Sequence, residues 1–158
     1  MNSDTTQWLL DRMQITDVVN NVATCADLRD WQGLRDCFAD AIMVDYTSLN
    51  GGTPIHTTPE ELIAGWRAIL SGFQATHHMI TNHRISVHGD TATCFVYVHV
   101  THSLPNPDEE PFWILGGYYT YQLARTSQGW RVTSTTLTAT WARGNQHLTV
   151  LAQEREQQ

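Results

Sequence analysis

The chain has 158 residues, enough for about one domain built around one site and too few for a separate cofactor domain. At 41% hydrophobic and 16% charged it is too apolar for a disordered chain, and a formal charge of -7 with only nine Lys and Arg leaves no basic stripe for nucleic acid. No basic run with a following apolar stretch opens the chain and no apolar run approaches about 18 residues, so a cytosolic protein without membrane contact is expected.

Ser3 or Asp4 can cap a first helix from Thr5 to about Ala26, with apolar residues at helical spacing: Leu9, Met13, Ile15, Val18, Val19, Val22, Ala23 and Ala26. A shorter helix is expected from about Trp31 to Phe38, then a short strand from Ile42 to Tyr46 and a turn at Asn50-Gly51-Gly52. Thr57-Thr58-Pro59-Glu60-Glu61 reads as a capped helix start, with proline near the first position and acids in the first turn; that helix runs to about Leu70. After Gly72 the period becomes two. Four strands are expected at about Ala75–Val87, Thr91–Ser103, Phe112–Thr126 and Trp130–Trp141. His88-Gly89-Asp90 and Ser127-Gln128-Gly129 make hairpin loops, and Leu104–Pro111 a longer turn. Residues 143–158 are polar, a short helix or a frayed tail with no assigned role. Helices followed by a long meander indicate an α+β fold, a single domain over residues 1–158 with its core at about 5–142.

Cys25, Cys37 and Cys94 are an odd number without a C-x-x-C spacing, which argues against a disulfide framework or a cysteine zinc site. Cys25 and Cys94 read as small buried apolar residues. His77 and His78, like His99 and His102, alternate across a strand and do not chelate together, so no metal is expected. The nucleotide-binding, nucleophile-elbow and zinc-protease motifs are absent, and no cofactor is expected.

The chemical signals are polar groups on apolar faces. Ile15, Val19, Ala23 and Asp27 form one helical row, so Asp27 is either a paired, buried carboxylate or a turn acid that has swung into water. Ala92, Cys94, Val96, Val98, Val100 and His102 share a strand face, which makes His102 a satisfied core histidine or a site residue. In the preceding strand the period-two pattern leaves open whether His77 or His78 points inward, and a bulge would exchange them. Tyr46 at a strand end is ordinary amphipathic packing unless it faces the same cavity.

Taken in order, Ala26-Asp27, Asp30-Trp31, Leu34, Phe38, Val44-Asp45-Tyr46, Thr76-His77-His78, Gly89-Asp90-Thr91-Ala92, Gly116-Gly117-Tyr118-Tyr119 and Gly129-Trp130-Arg131-Val132 resemble the SnoaL-like branch of the nuclear transport factor 2-like superfamily. The likeness spans Leu9 to Trp141 and is nearest to scytalone dehydratase-like and hexachlorocyclohexane dehydrochlorinase-like members. It implies a cone-shaped barrel of curved antiparallel or mixed sheet around three N-terminal helices. It also implies catalytic roles for Asp27, for His78 as its partner, for His102 and for Tyr46. Trp66, Phe112, Tyr118, Thr120 and Trp141 are assigned to the pocket wall. Ala26 stands where the dehydratase has a tyrosine, and its pocket asparagine has Tyr118 or Thr120 as nearest counterpart. The function implied is a cofactor-independent dehydratase acting on a small hydrophobic, aromatic or polyketide-like molecule. An isomerase, a polyketide-type cyclase or a non-catalytic ligand binder are the alternatives. A homodimer or homotrimer is implied as well.

Overall fold

The structure, a computed structural model, describes residues 3–106 and 109–156; positions 107 and 108 of the expected long turn and the last two of the tail lie outside them. Helix α1 (Ser3–Leu28) packs its face from Ile15 through Val19, Val22, Ala23 and Ala26 into the core. Leu9 and Met13, which periodicity assigns to that face, are 40% and 63% exposed: Leu9 precedes the buried stretch that begins at Asp11, and Met13 lies two residues from both Asp11 and Ile15, on the opposite side of the helix. Asp30 caps α2 (Trp31–Arg35) by accepting from Gly33 N–H. Strand β1 (Phe38–Asp45) therefore begins where the second helix was expected to end, and Phe38 is a core strand residue.

Two short elements go beyond the sequence reading: a single helical turn, α3 (Thr47–Asn50), and β2 (Ile55–Thr57). Both are too short to show a hydrophobic period. Helix α4 (Pro59–Leu70) starts as expected, with the Thr58 hydroxyl accepting from Glu61 N–H and the Glu61 carboxylate accepting from Thr58 N–H. The long strands follow as β3 (Ala75–His88), β4 (Thr91–Ser103), β5 (Phe112–Thr126) and β6 (Gly129–Gly144). They form one curved, mixed sheet in the order β2-β1-β6-β5-β4-β3, antiparallel except where β1 runs parallel to β6. This is the expected α+β class, with the helices packed against the concave face.

The tail is ordered from Leu148 to Glu156 as α5, whose Leu148 and Ala152 are fully buried beside Phe73, Leu104 and Trp113. Its close seat depends on Gly72. A Cβ at that position would lie 1.8 Å from the Ala152 carbonyl oxygen. Gly72→Ala is expected to lower stability by about 2 kcal/mol, the usual cost of overpacking, and to expose α5 to protease. Limited proteolysis against urea unfolding checks this, and an α5 as protected as in the wild type contradicts it. Among the described residues no helix is long and apolar enough to cross a membrane.

Candidate active site

Asp27 sits in the last turn of α1, where the helix passes the start of β3. Its carboxylate receives three hydrogen bonds. Oδ1 lies 2.6 Å from His78 Nδ1 and 2.9 Å from the Thr76 hydroxyl, and Oδ2 accepts the His78 backbone N–H at 2.7 Å. Burial pushes the Asp27 pKa upward, but the bonds from His78 and Thr76 outweigh it and hold the carboxyl below its usual value. An ionised carboxylate only accepts, so His78 Nδ1 carries a proton, and in the neutral ring the lone pair then lies on Nε2.

Strand pairing decides which histidine points inward. Thr76 pairs with His102 and His78 with Val100, which places Thr76 and His78 on the buried face of β4. His77 is exposed on the opposite face. A bulge between Thr81 and Arg84, with Asn82 at φ 60°, reverses the alternation, so Ile85 and Val87 point inward beyond it. No single period-two pattern therefore runs through β3.

His102 lies 6.2 Å from His78, centroid to centroid, and is stacked on Trp113 at 4.6 Å. Its Nδ1–H donates to the Trp113 carbonyl at 3.3 Å, which leaves Nε2 as an acceptor. Burial, with a smaller contribution from His78, pushes its pKa down to about 4. The unfolded chain titrates near the ordinary value of about 6.5, so between the two values it binds more protons than the folded chain. Stability is therefore lost as pH falls from about 6.5 to about 4, by up to about 3 kcal/mol. Urea unfolding across that window should show the slope, and His102→Gln should flatten it; an equal slope in both proteins contradicts the assignment.

Tyr46 follows β1 and opens α3. Its ring stacks on Trp66 at 6.4 Å and tilts against Tyr119 at 6.2 Å. Its hydroxyl is buried without a hydrogen-bond partner, and burial raises its pKa. Together with His78, His102 and Trp66, Tyr46 lines a cavity of about 620 Å³ between the sheet and α1, α4 and α5. The rest of the wall is mainly aliphatic and aromatic, and no Arg contributes to it. Among the described residues no cluster of three His, Cys, Asp or Glu is placed to hold a metal.

The wall residues assigned from sequence need correction on β5 and β6. Trp66 lines the cavity, but Phe112, Tyr118, Thr120 and Trp141 do not. Odd-numbered residues of β5 pair with the inward residues of β4, as Trp113 with His102 and Tyr119 with Val96. Trp113, Leu115, Tyr119 and Tyr121 therefore form the wall, and the even-numbered residues face outward. A signal was available in the sequence: Trp113, Leu115 and Leu123 have one parity, Thr120 and Gln122 the other. Trp141 lies on the outer face over Gly116 with His99 5.5 Å away. From the C-terminal segment, Gln146, Thr149 and Gln153 reach the cavity wall, a role the polar tail did not suggest.

A curved mixed sheet closed by N-terminal helices over a buried carboxylate–imidazole pair defines a small nuclear transport factor 2-like barrel. A model of the SnoaL-like domain matches residues 7–136, and the chain belongs to that family. The structure is similar to the Kfla4162 protein from Kribbella flavida, with a TM-score of 0.84 and 33% identity over 89% of this chain and 97% of that one. It is also similar in fold to a candidate scytalone dehydratase from Novosphingobium aromaticivorans (TM-score 0.76, 20% identity, 89% and 91% covered). A type 2 hexachlorocyclohexane dehydrochlorinase shares the fold as well (TM-score 0.75, 19% identity, 90% and 93% covered).

Proposed function

We propose that this protein is a cofactor-independent lyase that dehydrates a small, uncharged, ring-sized hydroxy carbonyl compound. The observation that carries the reading is the 2.6 Å contact between Asp27 and His78, with the imidazole on the wall of an apolar cavity. Asp27 orients the ring and stabilises the imidazolium that forms when Nε2 takes a proton from the carbon next to the carbonyl. The C–H electron pair moves toward the carbonyl, giving an enolate. As the enolate collapses to a conjugated double bond the C–O bond breaks, and His78 returns its proton to the departing hydroxide as water. His102 is neutral at physiological pH and accepts a hydrogen bond from the hydroxyl through Nε2. Tyr46 places its ring on the same wall, and its buried, unpartnered hydroxyl becomes a donor to the carbonyl oxygen once the side chain turns toward the cavity. Similarity in fold to a candidate dehydratase and a dehydrochlorinase supports an elimination.

The test is a screen of cyclic β-hydroxy ketones, following the new absorbance of the conjugated product. Turnover by the wild type that disappears in Asp27→Asn supports the reading. Binding without turnover across the set overturns it in favour of a ligand-binding protein.

A further inference from the structure

Helix α1 ends in a Schellman arrangement, with Asp30 N–H donating to Cys25 O at 2.9 Å and Arg29 N–H to Ala26 O at 3.3 Å. The residue in the left-handed position is Arg29, at φ 60°, where glycine is the usual occupant. A bulky residue kept in a strained position directs attention to what its side chain does. The Arg29 guanidinium folds back over the end of its own helix. Nη1 donates to Ala26 O at 2.8 Å, Asp27 O at 3.0 Å and Thr76 Oγ1 at 2.8 Å, and Nη2 donates to Leu70 O at 2.6 Å. One side chain thus ties together the end of α1, the end of α4 and the start of β3.

The chemistry of the donors fixes the direction of the chain of bonds. A guanidinium has no acceptor, so the Thr76 oxygen must accept from Arg29. The single Thr76 O–H is then free to point at Asp27 Oδ1, 2.9 Å away. Thr76 is 7% exposed, which keeps water from competing for either bond. Neither Arg29 nor Thr76 lines the cavity, so neither is placed to touch a ligand.

We propose that Arg29, acting through Thr76, is a positioning residue for the Asp27–His78 pair: it locks the carboxylate in the orientation that gives His78 Nδ1 its acceptor and leaves Nε2 bare on the cavity wall. The charged and titratable groups around His78 are Asp27 and Arg29 from the end of α1, His102 from β4, Glu61 from α4, and Tyr46 and Tyr119. Glu61 already accepts from Thr57 and Thr58, both tyrosines are held protonated by burial, and His102 stays neutral above about 4. Asp27 and Arg29 are therefore the opposed charges closest in effect. Without the guanidinium, or the hydroxyl that relays it, the carboxylate is free to turn and its hydrogen bond from His78 Nδ1 loosens.

The catalytic consequence rests on the proposed lyase reading, but the physical readout does not. The experiment is ring-nitrogen NMR of the full chain with labelled histidine, reading the tautomer and Nδ1 proton exchange of His78, for wild type, Thr76→Ser, Thr76→Val and Arg29→Gly. Glycine relieves the left-handed strain, so Arg29→Gly removes the guanidinium with the least insult to the backbone. Thr76→Ser should reproduce the wild type. Thr76→Val and Arg29→Gly should speed exchange of the His78 Nδ1 proton several-fold and shift part of the ring population to the Nε2-protonated tautomer. A merely structural clamp lowers the melting temperature of Arg29→Gly and leaves His78 unmoved; that result in folded Thr76→Val and Arg29→Gly overturns the proposal. Should Arg29→Gly fail to fold, the contrast between Thr76→Ser and Thr76→Val decides alone. Failure of the lyase reading is seen separately, as absent turnover in the wild type.

Discussion

Asp27→Asn and His78→Ala are each expected to lower kcat by roughly 10³-fold on a substrate found by the screen, with circular dichroism unchanged. His78→Ala removes the base outright. Asp27→Asn acts more subtly, because an amide is nearly the same shape. Its oxygen can accept from only part of the present set of Thr76 hydroxyl, His78 backbone N–H and His78 Nδ1–H. Wherever the amide nitrogen meets His78 Nδ1, it donates and drives the ring proton to Nε2, which leaves no lone pair facing the substrate. The double variant should lose no more than His78→Ala alone, because the two residues act as one unit. Steady-state rates and a binding measurement separate this from loss of affinity. Near-native kcat in either single variant, or losses that multiply in the double variant, sinks the mechanism.

The second large effect is expected far from the cavity, at Asp11. This carboxylate is 3% exposed. It accepts from Arg125 through both oxygens at 2.6 and 2.8 Å, from Gln7 at 3.0 Å and from the Trp130 indole at 3.2 Å. The Arg125 hydrogen bonds hold its pKa at about 2, against the opposing effect of burial. Asp11→Ala leaves a buried indole N–H without its acceptor and Arg125 without its partner, and should cost about 3 kcal/mol of stability. The wild type should also destabilise in acid. With a folded-state pKa below the unfolded one, Asp11 contributes its stabilisation fully above about 4, and that contribution of about 2 kcal/mol is lost as pH falls toward 2. This window lies below the one governed by His102, so denaturation measured at pH 7, 4.5 and 2.5 separates them. An Asp11→Ala protein with wild-type stability at pH 7 contradicts the account.

Much of the fold was legible because its hydrophobic periods are long and regular. The apolar stripe of β4, Ala92 to Val100 with His102 at its end, is buried throughout as read. The capping box at Thr58 and Glu61 announced α4 to within a residue. Where the period was short or broken, reading failed: α3 and β2 have too few residues to show one, and the bulge at Asn82 reverses the faces of β3 midway. The error on β5 had a different origin. Trp113, Leu115 and Leu123 mark the inward parity of that strand, and Phe112, Tyr118 and Thr120 have the other.

The candidate site divides in the same way. The amino-acid sequence by itself determined that Asp27 continues a buried helical row and that His102 ends a buried strand face, since one turn of helix and one step of strand fix which way a side chain points. It also carried the order of short motifs that resembles the SnoaL-like family. The strand pattern by itself leaves His77 and His78 open and the resemblance points to His78; the contact with Asp27 is visible only in the tertiary structure, because the pairing of β3 with β4 joins His78 to Val100, 22 residues apart. Only the tertiary structure brought Arg29 and Leu70, 41 positions apart, into one hydrogen bond beneath the carboxylate. Local periodicity records which face is buried; partners across the sheet are chosen by register, and register is a property of the folded whole.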